Sequence, residues 1–314
     1  MAISRRNFLK STAFTTGGIM MSTTNPSLLF SQNRKFNFEI SLAQYSLHRT
    51  LFGGELKTLD FPEKAKNEFG INAVEYVNQF FADKAEDSKY LAELKDRTDD
   101  LDVRNLLIMI DGEGMLSSPD DAERNKAVEN HQKWIDAAKY LGCHSIRVNL
   151  NGSSDKDEWI STSVDGLGKL AEYGAENEIY VIVENHGGLS SDASLLAEVM
   201  EQIGSNYAGT LPDFGNFCIR RDTGELYEGE CVEEYDIYKG VKEMMPYAKG
   251  VSAKSYDFDE EGNETTIDFS RMLKIIKESG FSGHIGIEYE GNRLGEDEGI
   301  IATKKLLENV RAQM

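Results

Sequence analysis

The chain has 314 residues, with 54 Asp and Glu against 34 Lys and Arg, a formal net charge of −20. Such acidity argues against a nucleic-acid partner, since backbone binding needs Lys and Arg at the phosphates, and against docking on anionic membranes. With 40% hydrophobic and 28% charged residues the composition is globular, and the length suits one large domain or two small ones. Three cysteines, Cys143, Cys218 and Cys231, are too few and too scattered for a disulfide framework, and they lack the C-x-x-C pairs of a structural zinc site.

Residues 1–31 carry Arg5, Arg6 and Lys10 and no acid, so the remainder carries −23. The run Ser4-Arg5-Arg6-Asn7-Phe8-Leu9-Lys10, followed by the mildly apolar Ser11–Met21, resembles a bacterial twin-arginine (Tat) export signal, a receptor-read address. It implies a periplasmic protein. The apolar stretch is shorter than the ~20 residues that span a bilayer, so no stable membrane insertion is expected. No cysteine follows to carry a lipoprotein anchor, and no small-x-small cleavage site stands out near Ser31.

From Phe36 onward, short β-rich apolar runs alternate with helix-period segments. The runs are Phe38–Ser46, Ile71–Tyr76, Arg104–Ile110, Ser145–Leu150, Tyr180–Glu184, Gly209–Asp213, Gly250–Ser255 and His284–Tyr289. The helical stretches between and after them are Phe61–Phe69, Lys84–Leu101, Pro119–Leu141, Ser163–Asn177, Leu195–Ile203, Cys231–Met245, Phe269–Ser279 and Gly299–Ala312. Alternation of this kind builds a parallel sheet through right-handed crossovers. Eight units over residues 36–314, with no Gly/Pro/Ser-rich linker, predict a single-domain (β/α)8 TIM barrel. An open doubly wound sheet is disfavoured because no G-x-G-x-x-G follows the first run.

A barrel places its chemistry at the C-terminal ends of its strands. Several apolar runs here end in a polar side chain: Val74-Glu75-Tyr76, Arg147-Val148-Asn149, Val183-Glu184-Asn185-His186, Leu211-Pro212-Asp213 and Ile287-Glu288. A carboxylate there is costly to desolvate unless it is paired or metal-bound. Several on one rim therefore indicate a cation site or an acid/base pair. Glu75 and Arg147 could also pair with each other across the barrel interior.

Glu-Asn-His-Gly-Gly at 184–188, Asp-Phe-Gly-Asn at 213–216 and Gly-Ile-Glu-Tyr-Glu-Gly at 286–291 resemble the xylose-isomerase-like TIM barrels, and within them the sugar phosphate isomerase/epimerase family. The resemblance covers residues 36–312. It implies a divalent metal held by Glu184, Asp213 and Glu288, with Mn²⁺ or Mg²⁺ suited to oxygen ligands and Co²⁺ or Zn²⁺ as alternatives. The family's strand 7 commonly ends His-x-Lys-Asp. Here Val251-Ser252-Ala253-Lys254-Ser255 puts Ser252 where the histidine would be and keeps Lys254. Either three carboxylates and water hold the metal, or Lys254 supplies the positive charge.

By the same resemblance Glu184 and Glu288 are the acid/base pair of a sugar isomerase or epimerase. His186, Asn216, Lys254, Arg147, Asn149 and His48 become the residues that bind a small carbohydrate. Two alternatives stand beside that reading. One is a lyase, hydratase or hydrolase working on an oxidised saccharide, which an exported protein meets more readily than a sugar phosphate. The other is a non-catalytic sugar-binding barrel, motivated by Ser252. The sequence leaves open whether the chain forms a homo-oligomer.

Overall fold

The computed structural model describes residues 36–314; the segment that resembles an export signal lies outside them. In chain order the elements are β1 (Glu39–Ala43), α1 (His48–Phe52), α2 (Phe61–Phe69), β2 (Ala73–Val77), α3 (Ser88–Asp100), β3 (Arg104–Met109), α4 (Asp121–Leu141), β4 (Ser145–Val148), α5 (Lys156–Asn177), β5 (Tyr180–Glu184), α6 (Ala193–Ile203), β6 (Ala208–Leu211), β7 (Cys218–Arg221), β8 (Cys231–Glu234), α7 (Ile237–Met244), β9 (Val251–Ser255), α8 (Phe269–Ser279), β10 (His284–Tyr289) and α9 (Glu296–Ala312). Eight strands form one parallel sheet in the order β6-β5-β4-β3-β2-β1-β10-β9. The fold is the expected TIM barrel. Among the described residues no helix is long and apolar enough to cross a membrane.

The seam between β6 and β9 is the irregular one. Only the isolated bridges Thr210–Ala248 and Asp213–Ser252 join them. Pro212 sits in the middle of that seam and has no N–H to donate, so the ladder is interrupted there. Its carbonyl still accepts from Ser252 N at 2.9 Å, and Phe214 N donates to Ser252 O at 3.1 Å. The break keeps Asp213 beside Ser252.

The strands bury both faces, as parallel strands under helices must. The larger apolar cluster packs strands against helices, with Trp134, Phe214, Leu273 and Ile300 among its buried members. A smaller one, Ala43, Val77, Leu107, Met109, Ile182 and Leu211, fills the barrel interior. Side chains two apart share a strand face, so Ile182 and Glu184 both point inward. The register of β9 and β10 pairs Gly286 with Ser252 and Glu288 with Lys254. This stacking sets polar residues in layers above an apolar floor. Gly286 makes room within it: a Cβ there would come within 2.6 Å of the Glu75 carboxylate.

Helix boundaries follow capping more than periodicity. Asp155 accepts from Glu158 N, so α5 begins at Lys156 rather than Ser163. Asp87 accepts from Tyr90 N and starts α3 at Ser88, after a 3₁₀ stretch from Asn78 to Lys84. The first run also ends early, at Ala43, and turns into 3₁₀ and helical turns that carry His48.

Two expectations need correction. Residues Cys231–Met245 are not one helix: Cys231–Glu234 is a strand, antiparallel to Cys218–Arg221, and only Ile237–Met244 is helical. Asp236 accepts from Lys239 N and caps that helix, so it cannot begin earlier. The cysteines are also not all free. Cys218 and Cys231 form a disulfide across this hairpin, while Cys143 is buried and unpaired. The pair lies 13 positions apart in sequence, and only the chain reversal at the barrel mouth brings them together.

Candidate active site

At the C-terminal rim the carboxylates of Glu184, Asp213 and Glu288 converge, with one oxygen of each within 4.8 Å of the others. All three are buried. The local sequence explains the placement. Buried Asn185 follows Glu184 and ties the ends of β5 and β6 together: its Oδ1 accepts from Asp213 N at 2.8 Å, and its Nδ2 donates to the carbonyls of Asp213 and Asn216. Gly187 and Gly188 both adopt positive φ, 83° and 62°, which L-residues resist. That turn leads back to Ser190 and Ser191, whose hydroxyls accept from His186 N and Gly187 N. The Asn-His-Gly-Gly motif is thus a device for holding β6 and for turning His186 over the cavity.

Ser252 stands between two of the acids. Its Oγ lies 2.7 Å from Asp213 Oδ2 and 2.9 Å from Glu288 Oε2. A hydroxyl has one proton and can donate to only one of them at a time. The other contact needs a proton on the carboxyl group, or a cation in its place. Asp213 Oδ1 is already committed to Gly215 N and Asn216 N.

Two cations flank the acids. Lys254 Nζ is 3.2 Å from Glu288 Oε2 and 2.6 Å from Glu290 Oε1. Arg147 donates through Nη1 to Asp111 Oδ1 at 3.0 Å. Its Nε lies 2.9 Å from Glu184 Oε2 without the alignment of a hydrogen bond, so both buried atoms lack one. Arg147 therefore pairs with Asp111 and Glu184, not with Glu75. Glu75 sits lower in the barrel, where Ser41 Oγ donates to its Oε1 at 2.6 Å and Oε2 has no partner.

These surroundings push the acids apart. Burial drives Glu184 well above the usual carboxylate range; Arg147 opposes this, while Glu288 and Asp213 add to it. Burial raises Asp213 to about 6 against the pull of Lys254. Glu288 feels the same burial, yet Lys254 first and then Arg147 bring it below its ordinary value. Glu75 is pushed up to about 7 by burial, eased by Ser41 and worsened by Glu288. Burial lowers His186 to about 3, with Arg147 and Lys254 adding to the effect, so the imidazole is neutral.

The carboxylate trio fits a divalent cation. Glu184 Oε2 is a buried oxygen without a hydrogen bond, and the Ser252 hydroxyl cannot satisfy both its neighbours. Five carboxyl groups at the site (184, 213, 288, 111 and 290) outnumber its three cations, Arg147, Lys254 and Arg221.

Above the trio opens a cavity of about 630 Å³. Of the substrate-binding residues expected from the sequence, Arg147, Asn149, His186, Asn216 and Lys254 line it. Asn216 Nδ2 also donates to Glu184 Oε1 at 3.0 Å, and Asn149 Nδ2 to Asp111 Oδ1 at 2.7 Å. His48 does not line it. Its ring stacks behind Tyr45, at 4.9 Å between centroids, and Nδ1 faces Tyr45 O.

The sequence reading missed Asp111, Tyr45, Glu290, Arg221 and Tyr227 on the cavity wall. Asp111 follows the apolar run Leu106–Ile110, the same signature that marks Glu184, and could have been found. Burial pushes its carboxyl up, but Arg147, then His186 and two hydrogen bonds, outweigh that and hold it at about 2. Tyr227 and Arg221 belong to the disulfide-closed hairpin. Tyr227 Oη lies 3.1 Å from His186 Nδ1, and Arg221 braces the hairpin through the carbonyls of Leu226 and Gly229.

A (β/α)8 barrel with three buried carboxylates under a polar cavity belongs to the class whose sites sit at the C-terminal rim. Residues 63–310 match the model of the xylose isomerase-like TIM barrel family, and the chain belongs to that family. Among solved structures it superposes on the IOLI protein with a bound zinc atom (TM-score 0.66, 14% identity, 88% of this chain and 98% of that one). It also superposes on the 3-keto-D-glucoside 4-epimerase of E. coli (TM-score 0.62, 11% identity, 88% and 100%). A curated relative, the C-glycoside deglycosidase alpha subunit of Arthrobacter globiformis, is 38% identical over 66 residues. That stretch is 20% of this chain and 19% of the relative's length.

Proposed function

We propose that the protein is an isomerase or epimerase of a sugar or keto-sugar, which moves a proton at a carbon next to a carbonyl. One observation carries this reading: Glu184 and Glu288 converge beneath the polar cavity, and their surroundings are kept apart by different cations, Arg147 Nε 2.9 Å from Glu184 Oε2 and Lys254 Nζ 3.2 Å from Glu288 Oε2. Carboxyl groups separated in this way are suited to opposite roles.

In the proposed cycle Glu288 takes the proton from carbon. The C–H bond breaks, its electron pair forms an enediolate, and Glu184 returns a proton either to the same carbon from the other side or to its neighbour. Lys254 and Arg147, both buried, place positive charge beside the developing oxyanion. Lys254 keeps its proton, because Glu288 and Glu290 outweigh the effect of burial. Neutral His186 and the amides of Asn149 and Asn216 orient hydroxyl groups. A divalent metal, if bound, would be held by Glu184, Asp213 and Glu288 and would polarise a substrate oxygen as a Lewis acid.

A second reading shares the first step. Proton abstraction next to a carbonyl also begins an elimination, in which Glu184 would protonate a departing group instead of carbon. The relation to a C-glycoside deglycosidase subunit favours keeping it.

The test is solvent deuterium exchange into D-tagatose, D-fructose, D-psicose and 3-keto-D-glucose, with and without Mn²⁺. Exchange into carbon that is lost in Glu288→Gln supports the proposal. If no panel sugar exchanges a carbon-bound proton, the proton-transfer reading fails, and saturable sugar binding without exchange leaves the binding-barrel alternative.

Export is part of the same proposal. The twin-arginine start and the Cys218–Cys231 disulfide both suit an oxidising compartment outside the cytoplasm. Changing Arg5 and Arg6 to lysine should retain the protein in the cytoplasm; unchanged fractionation contradicts export by this route.

A further inference from the structure

Beside the polar cavity lies a second one of about 450 Å³, built of different chemistry. Leu51, Phe52, Leu56, Phe80 and Tyr90 form its apolar part, and Lys57, Asp83 and Lys84 its charged edge. The two cavities share a wall at Gln79. An aromatic path also connects them. Tyr45 lines the polar cavity, Phe80 lies 6.4 Å from it between ring centroids, and Phe52 is 4.9 Å beyond. Phe52 is 61% exposed, the most exposed large apolar side chain among the described residues.

A free monosaccharide needs only the polar cavity, where charged groups, amides and an imidazole converge. It gives no reason for an open phenylalanine on the adjoining wall. Pockets of about 300–1,000 Å³ with apolar and aromatic walls are the size and chemistry of small-ligand sites, and exposed aromatic rings pair with other rings edge-on or offset. Because Gln79 lines both spaces, a molecule with a polar and an apolar end would have to pass this one side chain to reach from one into the other.

We propose that the Phe52–Phe80 cavity is a subsite for an apolar, ring-bearing group attached to the sugar, so that the natural substrate is a glycoside of an aromatic alcohol or phenol rather than a free ketose. The proposal rests on the sugar reading of the polar cavity, and it adds the substrate's second half. Phe52 supplies an open ring surface, Phe80 backs it, and Gln79, whose Nε2 donates to Asp111 Oδ2 at 3.0 Å, marks the junction between the two halves.

The probes are 4-methylumbelliferyl β-D-glucoside and methyl β-D-glucoside, with binding measured by calorimetry on the full chain. Their C3-oxidised forms are tested in parallel for deuterium exchange. The wild type should bind the aryl glycoside at least about tenfold more tightly than the methyl one. Phe52→Ala should bring that ratio to within about twofold of one, and Phe52→Tyr should keep it. Equal affinities, no saturable aryl binding, or a ratio that survives Phe52→Ala would each overturn the subsite. Aryl preference without exchange in either oxidised glycoside sinks the proton-transfer reading and leaves the subsite standing. Exchange without aryl preference does the reverse.

Discussion

Lys254 holds its ammonium nitrogen 3.2 Å from Oε2 of Glu288, inside a site whose carboxylates also suit a divalent ion. At that separation the two cations compete for one oxygen, and each lowers the other's occupancy. Lys254→Met should therefore tighten Mn²⁺ binding by about tenfold or more while slowing turnover. Calorimetric titration of the metal-free protein checks the first part. Unchanged or weaker Mn²⁺ affinity would mean that the lysine and the ion do not compete for this carboxylate.

Glu288→Gln keeps the volume and the Ser252 contact but removes the base. Turnover should fall by about 10²–10⁴-fold, the usual contribution of a positioned acid or base, with thermal unfolding little changed. A variant retaining more than a tenth of wild-type exchange would move the base elsewhere.

Glu75 provides a pH test away from the trio. Its folded-state value, about 7, lies above the ordinary glutamate value of 4.5, so the folded chain binds its proton more tightly than the unfolded chain does. The stability due to that proton is complete below about 4.5 and is lost as pH rises to about 7. Glu75→Gln cannot lose it. Urea midpoints of the two proteins should stay parallel below pH 4.5, diverge in favour of the variant up to pH 7, and run parallel again above. The accumulated gap should be a few kcal/mol, since each pKa unit corresponds to about 1.4 kcal/mol. A gap independent of pH would show that Glu75 titrates normally in the folded protein.

Arg147 is buried between Asp111 and Glu184. Replacing it by Met leaves buried Glu184 and partly exposed Asp111 without their cation. The expected cost is about 3–5 kcal/mol, as for the loss of one partner of a buried pair. Denaturant unfolding at pH 8 measures it, and a cost under about 1 kcal/mol would indicate that these acids are already protonated or solvated.

The disulfide anchors the hairpin that brings Tyr227 to His186. Closing a loop of about 15 residues is worth about 3 kcal/mol in chain entropy. The Cys218→Ser, Cys231→Ser double variant should melt earlier and show a raised KM, with kcat less affected, because the hairpin forms a wall above the carboxylates and not the floor they make. If KM is unmoved, the hairpin holds its position without the bond.

How much of this was legible in the chain itself depends on the range of the interaction. Eight apolar runs separated by helical periods specify a parallel barrel locally, since burial on both faces writes a continuous apolar run into each strand. A barrel then puts function at strand ends, so Glu184, Asp213 and Glu288 stand out as acids that no solvated strand would need. Tertiary structure decided the rest. Whether Arg147 meets Glu75 or Asp111 depends on rotation about the barrel axis, which no local pattern encodes. The Cys218–Cys231 bond and the wall it carries come from a chain reversal whose alternation is too short to distinguish from a helix. The divergence of Glu184 from Glu288 arises from the through-space placement of two cations in a poorly solvated interior, and sequence spacing carries no record of that distance.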